Sequence, residues 1–192
     1  MFDRDRAAAA VESLTPLGRG QLAALCLNRI SGLLDDVRIS GEFSSIAELV
    51  YQIQEYAVSC ARQLPSDFDL VGMNRRLRDF LGPDDEPHEE LPGWGAWVMD
   101  IASVADYVLR TWSTPDESAE NCFEVLLSTY SIAGYLEDDS SSPNVPALGE
   151  MEFRHQMDEA GAIADGGEWG NLAQGSADLA QSYQRWVEYV TA

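Results

Sequence analysis

Ser44-Ser45-Ile46-Ala47-Glu48-Leu49-Val50-Tyr51-Gln52-Ile53-Gln54-Glu55-Tyr56-Ala57-Val58-Ser59-Cys60 decides the fold class. Ile46, Leu49, Val50, Ile53, Tyr56, Ala57 and Cys60 recur at spacings of three and four, which puts them on one side of an α-helix and leaves the other side to Glu48, Gln52 and Glu55. Ser44 reads as the cap and Pro65 as the stop. The same grammar extends in both directions. Upstream, Ala7 to Leu14 is a short Ala-rich helix. Thr15-Pro16 then starts another that runs to about Val37, with Leu22, Leu25, Cys26, Arg29, Ile30 and Leu33 along one stripe. Downstream, Ser66 or Asp67 opens a helix through Leu70, Met73, Leu77 and Phe80, whose polar side carries Arg75, Arg76 and Arg78.

Residues 82–93, with three Pro, two Gly and five acids, read as an acidic Pro-rich linker. Trp94 to Trp112 reads as a buried helix with Trp97, Ile101, Val104, Val108 and Trp112 on one side. Thr114-Pro115-Asp116-Glu117 is a start signal, because a hydroxyl, a Pro and two carboxylates suit the positive helix N-terminus. That helix is expected to reach Leu136, with an exposed loop from Glu137 to Pro143. Two more helices are expected at about Val145 to Ile163 and Ser176 to Val190, separated by a Gly-rich stretch from Asp165 to Gly175. No stretch alternates as a strand would. The expectation is a single all-α domain, residues 1–192, built as a bundle of six to eight helices.

The segments Ala102 to Trp112 and Glu120 to Glu137, followed by Pro146-Ala147-Leu148-Gly149-Glu150-Met151-Glu152-Phe153-Arg154-His155-Gln156, resemble the C-terminal half of the YjaG-like family of small helical proteins. That pattern has two amphipathic helices, an acidic loop and a helix with Glu and Gln four residues apart, here Glu152 and Gln156. The resemblance covers about half of the chain and rests mostly on apolar pattern. It implies an all-α fold and brings no reaction, cofactor or catalytic residue.

Charge carries what functional content the sequence has. The net charge is −21, and every basic residue is Arg. Leu81 to Ala192 holds twenty-two acids against Arg110, Arg154 and Arg185, whereas Met1 to Phe80 sets nine Arg against eleven acids. Such a field repels DNA, RNA and anionic lipid and attracts basic proteins. No run approaches the roughly 18 apolar residues of a membrane span, and the mixed-charge start is unlike a signal peptide, so a cytoplasmic protein with neither membrane nor direct nucleic-acid partner is expected. Cys26, Cys60 and Cys122 lie apart in apolar stretches and read as reduced, structural thiols.

Catalytic patterns are thin. Glu152 and His155 have the i, i+3 spacing used by metal-binding bundles, but His88, the second histidine, sits in the Pro-rich linker, so a surface or partly buried His is the expected reading. Glu117 with Glu120, and Glu120 with Glu124, have the spacing of a metal-dependent phosphohydrolase, and a solvated helix start explains them as well. No cofactor, metal ligand or catalytic residue is assigned. Three acidic clusters are the expected partner-binding residues: Asp84, Asp85, Glu86, Glu89 and Glu90; Asp116, Glu117 and Glu120; and Glu137, Asp138 and Asp139. The expected function is an immunity-type inhibitor that occludes a basic toxin or nuclease. The alternatives are a metal-dependent all-α hydrolase and an acidic DNA mimic. The plain counter-reading is charge that serves only solubility or salt tolerance.

Overall fold

The computed structural model describes residues 1–36, 41–65, 67–82, 94–139 and 147–187. Among them lie eight α-helices: α1 (Arg4–Ser13), α2 (Pro16–Ser31), α3 (Ser44–Ala61), α4 (Leu70–Leu81), α5 (Trp94–Ser113), α6 (Ser118–Asp139), α7 (Leu148–Ala164) and α8 (Trp169–Val187). Short 3-10 turns, Gly32–Asp35 and Pro115–Glu117, follow α2 and precede α6. No strand occurs among the described residues. This is the all-α bundle that the periodicity predicts.

α2 is the axis. Residues 22–27 are all buried, so the helix is covered on every side, and α3, α5, α6, α7 and α8 pack on it. A helix apolar around its whole circumference has nowhere to go but the centre. Gly20 is what lets α5 approach it: a Cβ there would come within 2.5 Å of the Trp112 indole. α3 and α5 bury the stripes read from their spacing, with Ile53, Ala57, Ile101, Val104 and Val108 fully enclosed. Each such Ile or Val contributes about 1.5–3 kcal/mol of transfer free energy. Phe2 lies against Phe123, Tyr130 and Phe153 at centroid distances of 6.1, 5.1 and 5.1 Å, which seals α1 over α6 and α7.

Several boundaries depart from expectation for local reasons. α1 begins earlier, because Asp3 Oδ1 accepts from the Arg6 N–H at 3.0 Å and caps it. Thr15 does cap α2, accepting from the Gly18 N–H at 3.1 Å. Ser44 is instead the first helical residue of α3, behind Phe43, which offers no side-chain cap. Asp69, rather than Asp67, caps α4 through the Gly72 N–H at 2.9 Å, and Ser66 lies outside the described residues. The Thr114 hydroxyl turns backward, donating to the Arg110 carbonyl at 2.7 Å, so it closes α5 rather than opening α6. α8 starts at Trp169, inside the stretch read as Gly-rich connection, because the Trp169 ring packs against the core. α6 runs on to Asp139, so Glu137, Asp138 and Asp139 form its last turn and not a loop.

Candidate functional site

The acidic clusters take different places. Asp84, Asp85, Glu86, Glu89 and Glu90 lie outside the described residues, as does His88. Asp116, Glu117 and Glu120 are exposed where the 3-10 turn runs into α6. Their position has a structural reason: the N-terminal turn of a helix carries partial positive charge, and carboxylates there stabilise it. At the other end Asp138 is exposed and Glu137 half-buried. A helix of 22 residues is about 33 Å long, so these two clusters stand at its opposite ends. The C-terminal turn carries partial negative charge, so its carboxylates oppose the helix they stand on. The helix field gives them no folding role, as it gives none to Glu12 at the end of α1 or Asp79 at the end of α4.

The α4 face carries the opposite sign. Arg75, Arg76 and Arg78 are exposed there, as the spacing predicts, and Val71 stands 80% exposed beside them.

A second constellation, unassigned in the sequence, lies at the centre. Arg29 projects from α2 into full burial between α7 and α8. Its Nε donates to Glu152 Oε1 and Oε2 at 3.1 and 3.0 Å, and its Nη2 to Glu152 Oε1 at 2.7 Å. Its Nη1 donates to both Glu159 oxygens, at 2.8 and 2.7 Å, and to Ser176 Oγ at 3.2 Å. Ser176 in turn donates to the Leu25 carbonyl at 2.9 Å. Glu152 also accepts from the Tyr183 hydroxyl and, at 2.9 Å, from Gln156 Nε2. One guanidinium thus joins α2 to α7 and α8, with a fork geometry that Lys does not offer.

The ionisation of the cluster follows from burial against pairing. Burial works against the charged form of Arg29, but the two carboxylates outweigh it and hold the proton more firmly than usual. Burial likewise acts to raise Glu152, and Arg29 with the hydrogen bonds from Tyr183 and Gln156 brings it below the ordinary carboxylate range. Glu159 goes the other way. Burial dominates there and pushes it up to about 7, against the pull of Arg29. Burial also lowers His155 and raises the Cys26 thiol, and it takes the Cys122 thiol up to about 12. Cys26 and Cys122 are therefore inert neutral groups in the core.

This cluster answers the metal-ligand spacing read at Glu152 and His155. Glu152 is fully buried and its oxygens are occupied by Arg29, Tyr183 and Gln156, while half-buried His155 faces Glu159 instead. Two signals for it were present in the sequence. Arg29 stands within the apolar stripe of α2, and Glu152, Gln156 and Glu159 keep the helical register of buried Phe153, Met157 and Ala160. Nothing local joins the two.

Comparison with models of protein families, with curated proteins and with solved structures gave no match for the chain. No helix among the described residues is long and apolar enough to cross a membrane.

Proposed function

We propose that the protein is an acidic partner-binding protein, an inhibitor of the immunity type that covers the basic site of a toxin or nuclease. The observation that supports this best is the pair of carboxylates Glu137 and Asp138 on the last turn of α6. They lie where the helix field makes acids unfavourable, on a chain of net charge −21. Groups that cost the fold stability, and of which Asp138 stands exposed, are the ones to explain by something outside it. A toxin that holds phosphate with Lys and Arg is a fitting counterpart, because complementary fields both steer the encounter and block the site.

The test is co-purification of a basic protein with this chain, followed by the association rate of the pair as salt rises. The screening length falls from about 10 Å at 0.1 M to about 3 Å at 1 M, so a steered complex loses its rate advantage over that range. Reversal of Glu137, Asp138 and Asp139 together should slow association and leave the bundle folded. A rate indifferent to both salt and reversal would reduce the acidity to a solubility device.

A further inference from the structure

The central cluster contains one guanidinium and two carboxylates within 2.7–3.1 Å, all buried. With both carboxylates ionised it holds a net negative charge where water does not reach, and a buried group in that position takes up a proton. The carboxylates are not equivalent. Glu152 has donors on both oxygens from Arg29, Tyr183 and Gln156, which fix it as the anion. Glu159 has Arg29 alone among these, and its Oε1 lies 3.4 Å from His155 Nε2. That distance is loose for a hydrogen bond, and Nε2 is buried with no hydrogen-bond partner. A proton on Glu159 directed at Nε2 supplies the missing donor, since neutral imidazole accepts at one nitrogen.

We propose that Glu159 carries a proton toward His155 in the folded protein, and that with Arg29 this pair is a pH-sensitive latch joining α7 and α8 to α2, closed on the acid side of neutrality and loosened above it. The charged and titratable groups around Glu159 are Arg29 and Cys26 from α2, Tyr183 from α8, and Glu152, His155 and Asp158 from α7. α6 contributes the Leu126 carbonyl, which accepts from Gln156 at 3.0 Å.

The sign follows from linkage. Glu159 is raised from 4.5 to about 7, so its contribution is complete below the unfolded value and disappears as pH rises through about 7. His155 is lowered from 6.5, so its contribution is present above that value and is lost as pH falls through its depressed one. The two changes oppose each other on the acid side. Between about 6.5 and 7 the Glu159 loss stands alone, and above that range it is complete. Its structural consequence is a second buried carboxylate beside Glu152, whose desolvation and repulsion from Glu152 act against the packing of α7 and α8 on α2.

Carbon-13 NMR of the Glu side chains in the wild-type chain is the direct test. The Glu159 carboxyl should titrate near 7, and Glu159→Gln should abolish that titration. Between about pH 5 and about pH 7.5 the urea midpoint of the wild type should fall relative to that of Glu159→Gln, which keeps the His155 dependence and lacks the Glu159 one. Amides of α8 should lose exchange protection over the same range faster than those of α3. A Glu159 carboxyl titrating in the ordinary range, or an equal pH dependence in the variant, or parallel loss of protection in α8 and α3, would overturn the latch. If Glu159→Gln does not fold, the wild-type titration and exchange decide the matter alone.

Discussion

Arg29 shows at the scale of one residue how a polar group can organise a core. The guanidinium is fully buried, and its partners are 123 and 130 residues away in the chain. Removing one member of a buried ion pair leaves the others as uncompensated charge, which costs about 3–5 kcal/mol. Arg29→Met is therefore expected to lower the unfolding free energy by that amount in urea titrations. Neutralising the carboxylates as well, with Glu152→Gln and Glu159→Gln, should recover much of the loss. A single Arg29→Met variant as stable as the wild type would show that the cluster contributes nothing to the fold. In the sequence Arg29 is visible only as a misfit among Leu22, Leu25, Cys26, Ile30 and Leu33. Which acids answer it is not, because helical spacing relates residues three and four apart and not residues on different helices.

At the scale of the element, α6 sets function against stability. Asp116, Glu117 and Glu120 complement its N-terminal end, whereas Glu137 and Asp138 oppose its C-terminal end. Replacing Glu137 and Asp138 by Lys should thus stabilise the protein by about 0.3–1 kcal/mol each at low salt, read from thermal or urea unfolding. The same change should slow association with a basic partner. Opposite signs in the two measurements separate a binding role from a folding one, and a loss of stability would contradict the dipole argument. α8 teaches the complementary lesson. Gly170 and Gly175 each cost about 1 kcal/mol in a helix relative to Ala, which is why the segment reads as a connection. The burial of Trp169 against the core outweighs that local preference, and the helix begins there.

For the whole molecule, a net charge of −21 on a bundle of this size means self-repulsion that the folded state concentrates. Added sodium chloride should therefore raise the thermal midpoint from low salt up to about 0.5 M, as the screening length contracts. Far-UV circular dichroism should remain strongly helical throughout. A midpoint that falls over this range would mean that exposed ion pairs such as Arg154 with Glu150, 3.4 Å apart, outweigh the repulsion.

The sequence alone determined the helical class, the amphipathic faces of α3 and α5, the basic side of α4 and the concentration of acid in the C-terminal part. These are local or additive properties, read from spacings of three and four or from simple counts. Only the tertiary structure decided that α2 is the axis, that α6 carries Glu137 and Asp138 on its own last turn, and that Arg29, Glu152, Glu159 and Tyr183 meet in one buried cluster. Such meetings depend on how whole helices pack, and the free energy that fixes them is shared among contacts far apart in the chain.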